Sequence, residues 1–266
     1  MPNRNGKVNV GDTDMYYVSF GSGPKTLVVL PGLSDGLATV KGKALILSSP
    51  YKKYLTEYTV FMFSRKNKMP EGYSIRDMAA DQVVAMKALG IGKADVMGVS
   101  QGGMIAQYIA IDHPEVVDRL ILTVTAPYAN DTVRSCVASW IEMAKRGDHK
   151  EFMTDTAKKT YSDAYLAKNL KMMPLVAKFT KPKDYGRFFI NANAILGSDA
   201  RDLLPSVNCP TLIIAGDCDK TVGVDAHKEL ISLIPGSQLL LYPGLGHGLY
   251  EEADDFYDKV FEYLRK

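Results

Sequence analysis

The chain has 266 residues, 46% hydrophobic and 23% charged, with a formal net charge of +2. That length fits one large α/β domain with an insertion, or two small domains, and is enough to bury a sizeable core. The near-neutral balance gives no reason to expect nucleic acid or an anionic membrane as partner, so a small-molecule ligand is expected.

The N-terminal run Met1-Pro2-Asn3-Arg4-Asn5-Gly6 lacks the apolar segment of a signal peptide. No apolar run approaches the roughly 18 residues of a membrane span. The three cysteines, Cys136, Cys209 and Cys218, are odd in number and lack metal-type spacing. That usage points to a reducing compartment, and a cytoplasmic location is expected.

Short strands are predicted near 8–10 and 15–20, followed by the turn cluster Gly21-Ser22-Gly23-Pro24 and the apolar run Thr26 to Leu30. The same strand texture recurs at Thr59 to Phe63, Ala94 to Val99, Leu120 to Val124 and Thr211 to Ala215, with helical patterns between most of them. Continuous apolar runs alternating with helices predict a parallel sheet covered on both faces. One helix is marked by Ile75, Met78, Ala79, Val83, Met86 and Leu89 on one face, with Gly90 and Gly92 as stop signals. A second runs from Gln101 to about His113, before Pro114.

From about Ala126 to Pro205 the strand texture vanishes, and the segment is helical and rich in flexible apolars: Trp140, Met143, Met153, Tyr161, Tyr165, Met172, Met173, Phe188 and Phe189. An inserted helical cap over 127–205 is therefore predicted, between core segments 1–126 and 206–266. Those apolar residues would wall a substrate pocket or form the cap's own core. A strand over Gln238 to Tyr242 and a helix holding Phe256, Val260, Phe261 and Leu264 close the chain.

The chemistry centres on Gly98-Val99-Ser100-Gln101-Gly102, directly after the strand Ala94 to Val99. In a G-x-S-x-G turn the serine takes strained backbone angles, and a side chain at either glycine would collide with the neighbouring strand or helix. The helix that follows aims its free N–H groups and positive dipole end at charge created on the serine. A serine hydroxyl is a poor nucleophile, so it needs a base and a third group to orient that base.

Four histidines are available. His113 ends a helix, His149 lies in the polar run Arg146-Gly147-Asp148-His149-Lys150, and His227 falls in the amphipathic stretch Asp225 to Leu233. His247, in Gly244-Leu245-Gly246-His247-Gly248 just after a strand, is the predicted base. For the acid, Ala215-Gly216-Asp217-Cys218-Asp219-Lys220 offers two carboxylates, and Asp131 is a third choice. Asp219 is preferred because it lies farther into the loop, and Asp217 reads otherwise as a turn-former. A metal reading of Asp217, Asp219 and His247 is weaker than the serine elbow. The oxyanion donors are expected to be the backbone N–H groups of Gln101 and, from the loop Leu30 to Gly36, of Leu33 beside Gly32.

Together these residues resemble the α/β-hydrolase superfamily, over nearly the whole chain from Met15 onward. The order Ser100, Asp219, His247, the insertion after the sixth strand and the acid motif Gly216-x-x-Asp219 carry the resemblance. It implies an α/β-hydrolase fold with a mostly parallel sheet, flanking helices and a helical cap. It also implies a serine hydrolase cleaving an ester-type bond of a small molecule, with no metal or organic cofactor. Ser100 stands where dehalogenases and epoxide hydrolases of this fold carry aspartate, which argues against both. Two departures stand out: Pro31-Gly32 replaces the usual His-Gly, and Ser64-Arg65-Lys66-Asn67-Lys68-Met69-Pro70 replaces a glycine-rich run and reads as a re-routed surface loop. Acyl transfer or perhydrolysis on the same residues, or a non-catalytic ligand-binding protein of this fold, are the rival expectations.

Overall fold

The structure is a computed structural model that describes residues 3–266, apart from the side chains of Met173, Pro174, Val176 and Phe179. The N-terminal reading on Met1 and Pro2, and that on the Met173 side chain, lie outside the described residues.

Among the described residues eight strands form one sheet: β1 (Arg4–Val10), β2 (Thr13–Gly21), β3 (Lys25–Leu30), β4 (Tyr58–Lys66), β5 (Ala94–Val99), β6 (Val117–Thr123), β7 (Thr211–Gly216) and β8 (Gln238–Tyr242). Their spatial order is β1-β2-β4-β3-β5-β6-β7-β8. β2 pairs antiparallel with β1 and β4, and every other pairing is parallel. After β3 the chain adds β4 on one side and later β5 on the other. The loops leaving the C-terminal ends of β3 and β5 therefore part in opposite directions and open a crevice, the usual ligand position in such sheets.

The helices between the strands are α1 (Ala44–Leu47), α2 (Ile75–Ala88) and α3 (Gln101–Asp112). Five more separate β6 from β7: α4 (Asp131–Lys145), α5 (His149–Thr160), α6 (Asp163–Asn169), α7 (Met173–Thr180) and α8 (Gly186–Leu196). The last three are α9 (Ala226–Leu233), α10 (Leu249–Glu252) and α11 (Phe256–Leu264). α2 starts with a capping box, in which Asp77 N–H donates to Ser74 Oγ and Ser74 N–H donates to Asp77 Oδ2. α3 is buried along nearly its whole length because it lies under the middle of the sheet, which explains its apolar character on all sides.

One hydrophobic cluster joins α2 and α3 to Trp140, Phe152 and Phe188 of the β6–β7 insertion. A second cluster, on the opposite sheet face, gathers Tyr51, Tyr54 and Tyr58 with Phe256, Val260 and Leu264 of α11. Trp140, Phe152, Tyr185 and Phe188 of the insertion are thus core, whereas Tyr161 and Tyr165 are half-buried and Met172 is exposed.

His149 departs from the sequence reading. It is the first residue of α5 and buried, with Nδ1 2.7 Å from Tyr185 Oη, Nε2 3.2 Å from Thr180 Oγ1, and its ring stacked on Phe152. The polar neighbours Gly147 and Asp148 form the turn; the imidazole itself points inward. Burial lowers its pKa below the usual 6.5, and Lys181 pushes in the same direction. A base held neutral in the fold binds fewer protons than in the unfolded chain. Its stabilising contribution is complete above pH 6.5 and lost as pH falls through the lowered value. Urea midpoints are expected to decline below pH 6.5, and His149→Gln should flatten that slope. Burial lowers His227 likewise, so the flattening is partial.

Candidate active site

Ser100 occupies the junction between β5 and α3 at φ 54 and ψ −120, a region that side chains other than glycine rarely adopt. Its N–H donates to Thr123 O at 2.9 Å, and Thr125 Oγ1 donates to Ser100 O at 2.7 Å. These bonds hold the turn from the β6 side. Val124, between the two anchors, is itself at φ 43, an unusual place for a β-branched residue, and its N–H is tied to Ile214 O. A Cβ at Gly98 would overlap the carbonyl of Gly102, and one at Gly102 would overlap that of Leu30. Both glycines are therefore steric requirements of the turn. Gly103, outside the motif, is a third: its Cβ would lie 2.6 Å from Thr125 Cβ.

Two loops at the same sheet edge bring the other groups in. β7 ends at Gly216, and Asp219 follows with Oδ1 accepting from the N–H groups of Thr221 (2.8 Å) and Val222 (3.0 Å). That leaves Asp219 Oδ2 for His247 Nδ1, 2.8 Å away. His247 Nε2 then lies 2.9 Å from Ser100 Oγ. Because Nδ1 faces a carboxylate, the neutral ring carries its proton there and leaves the Nε2 lone pair toward the hydroxyl. A Cβ at Gly216 would overlap Leu245 O, and Cys218 N–H donates to that same oxygen, so the acid loop and the histidine loop lie against each other.

The remaining acid and base candidates are elsewhere. Asp217 accepts from Gly244 N–H at 2.7 Å and closes the turn that leads to His247. Asp131 is an exposed first-turn residue of α4. His113 caps the end of α3 beside Glu115, and His227 is buried on α9.

Leu30-Pro31-Gly32-Leu33 passes directly over the elbow. A Cβ at Gly32 would lie 3.3 Å from Ser100 Cβ and 3.8 Å from its Oγ. Leu33 opens a short 3-10 turn through Gly36, and Gln101 is the first residue of α3. First residues of helices carry N–H groups with no acceptor inside the helix.

The segment after β4 corrects the sequence reading. It is no surface loop at its start: β4 continues through Lys66, and Ser64 and Arg65 are buried, Arg65 at 1% exposure. Arg65 Nη2 donates to Gln101 Oε1 at 2.9 Å, and Gln101 Nε2 donates to Asn191 O on α8 at 2.8 Å. Arg187, also on α8, forms a 2.6 Å ion pair with Asp35 Oδ2 and donates to the carbonyls of Asp35, Arg65 and Lys66. Arg65 N–H completes the cluster by donating to Asp35 Oδ2. Burial pushes the Arg65 guanidinium down to about 10, with Asp35 pulling it up and Arg187 adding to the fall. Sequence reasoning missed this cluster.

The sequence profile of the alpha/beta hydrolase fold matches residues 48–254. The chain is similar to serine hydrolase BPHL of Mus musculus, with 27% identity over 97% of this chain and 86% of that protein. Among solved structures it is similar to MGS-M2, an alpha/beta hydrolase enzyme from a Medee basin deep-sea metagenome library, at TM-score 0.88 and 19% identity over 98% of both chains. It is also similar to the enol-lactonase from Burkholderia xenovorans LB400, at TM-score 0.83 and 21% identity over 98% of this chain and all (100%) of that one. With the profile spanning most of its length, this chain belongs to the alpha/beta hydrolase fold family and is a hydrolase of that family.

Proposed function

We propose that the protein is a serine hydrolase that cleaves an ester-type bond of a small molecule (carboxylester, lactone or thioester) through an acyl-enzyme on Ser100. The observation that carries this reading is the continuous hydrogen-bonded line from Asp219 through His247 to Ser100 Oγ. Ser100 Oγ attacks the carbonyl carbon while His247 Nε2 takes its proton, and the carbonyl electron pair moves onto oxygen. The backbone N–H groups of Gln101 and Leu33 receive that oxyanion. Collapse expels the alcohol, enol or thiol with the proton from His247. Water, deprotonated by the same nitrogen, then attacks the acyl carbon, and its proton returns to Ser100. Asp219 keeps Nδ1 protonated throughout and stabilises the imidazolium.

The segment 127–205 acts as a cap over the core formed by 1–126 and 206–266. α8 sits on the turn after Gly32, where a Cβ at Gly36 would lie 3.0 Å from Phe188 Cα. The end of α5 sits on the histidine loop, where Gly248 N–H donates to Thr160 O at 2.7 Å and Tyr161 Oη donates to Glu251. The substrate approaches between these two supports. Three free thiols accord with a reducing cytoplasm. Among the described residues no helix is long and apolar enough to cross a membrane.

The test is a panel of p-nitrophenyl esters, acyl thioesters and lactones with the purified chain. Turnover of at least one class, absent in Ser100→Ala, is expected. Equal rates for the two proteins across the panel would overturn the reading.

A further inference from the structure

We propose that Arg65 is a positioning residue for the oxyanion site, holding Gln101 and setting the electrostatic potential at its N–H. The inference rests on the reading of Gln101 as an oxyanion donor. Gln101 has two roles on one residue. Its backbone begins α3 beside the nucleophile, and its side chain is fixed at both ends, Oε1 by Arg65 and Nε2 by Asn191 O. The first residue of a helix has only one side of its backbone inside the helical ladder. Clamping its side chain restricts the remaining freedom of its N–H.

The charge points the same way. The single carboxylate of Asp35 is paired with the Arg187 guanidinium and meets Arg65 only through its backbone N–H, so among the described residues the Arg65 guanidinium at Gln101 has no ion-pair partner, and nearby Lys66 is paired separately with Asp81. The cluster carries an uncompensated positive charge, out of water and one glutamine side chain from the place where the oxyanion forms. In such surroundings a fixed charge acts more strongly than it would in solvent.

This arrangement is poor as a purely structural tie. Among the described residues, Arg65 Nε, Asp35 Oδ1 and Asn191 Oδ1 are buried with no hydrogen-bond partner, and all three belong to this one cluster. Buried ions with unmet polar atoms hold a fold together less well than apolar packing of the same volume. Retaining them directly behind the elbow is consistent with a role in charge stabilisation. Arg187 joins α8 to the turn carrying Leu33 through Asp35, so α8 is bonded both to that turn and, through Asn191, to Gln101.

Arg65→Met, which conserves much of the volume, tests this in the full chain with an ester that the wild type turns over. The expected result is a fall in kcat on the order of tenfold to a hundredfold, less than deletion of a donor outright, with KM nearly unchanged. Affinity for an alkyl trifluoromethyl ketone, whose adduct with the serine is an oxyanion, should weaken by the same factor, and Arg65→Lys should recover part of both. A kcat and ketone affinity equal to wild type, or a rise in KM alone, would overturn the proposal. If Arg65→Met does not fold, Gln101→Met keeps the backbone N–H and cuts the tie, and the same outcomes decide. Failure of this inference leaves the wild-type rate dependent on Ser100. Failure of the underlying reading shows instead as a Ser100→Ala rate equal to wild type.

Discussion

Ser100→Ala is expected to lower kcat for ester hydrolysis by roughly a millionfold, the scale seen when a serine nucleophile acting with a histidine is removed. The substitution takes away the proposed nucleophilic oxygen and leaves the surrounding turn with the same backbone. Alanine at φ 54 is as strained as serine there, and the bonds from Thr123, Thr125 and the helix do not involve the hydroxyl. Thermal stability should therefore stay near wild type while turnover disappears. Steady-state rates with a p-nitrophenyl ester, beside thermal melts of both proteins, check this. A variant that keeps more than a small fraction of wild-type turnover would move the chemistry elsewhere.

Asp219→Asn should cost about 10⁴-fold in kcat. The amide group keeps the volume, but one of its two ends is a donor. The N–H groups of Thr221 and Val222 already occupy Oδ1 and demand an acceptor, so the amide nitrogen takes the Oδ2 place and faces His247 Nδ1. The ring then presents a bare Nδ1 to that donor and carries its proton on Nε2, where it can no longer accept from Ser100. Asp217→Asn is the matched control. Asp217 bonds a backbone N–H of the turn at Gly244, and an amide oxygen can replace that carboxylate oxygen. Its kcat should remain within a few-fold of wild type. Equal losses in the two variants would contradict the division of roles between the two carboxylates.

Most of the scaffold of this site is legible in the sequence because local sterics write it there. The glycines of Gly98-Val99-Ser100-Gln101-Gly102 are needed where a Cβ meets backbone, and Gly216 and Gly246 let the two supporting loops touch. Strands buried on both faces leave unbroken apolar runs, and those runs mark β3 to β7 with their order along the chain. The antiparallel turn of β2 against β4 leaves no comparable trace, since pairing direction is set by where the chain goes next.

What was not legible depends on partners far along the chain. Arg65 follows an apolar run in company with Ser64 and Lys66, a pattern ordinary at the exposed end of a strand. Its burial is fixed by Asp35 on another loop, Gln101 on α3 and Arg187 on α8, none of which its own neighbourhood announces. His149 sits among glycine and charged residues that form a turn, yet its ring enters a pocket made by Tyr185 and Phe152. Val124 adopts an angle that its β-branched side chain disfavours, so local preference points away from the observed conformation.

Activation of Ser100 by His247 is the step on which the proposed chemistry depends. Intact-protein and peptide mass spectrometry after treatment with a fluorophosphonate measures this most directly. One adduct per chain is expected, on the peptide containing Ser100, formed far more slowly in His247→Ala and not at all in Ser100→Ala. A folded wild-type chain that stays unmodified, or one that is labelled at another residue with loss of its activity, would contradict it.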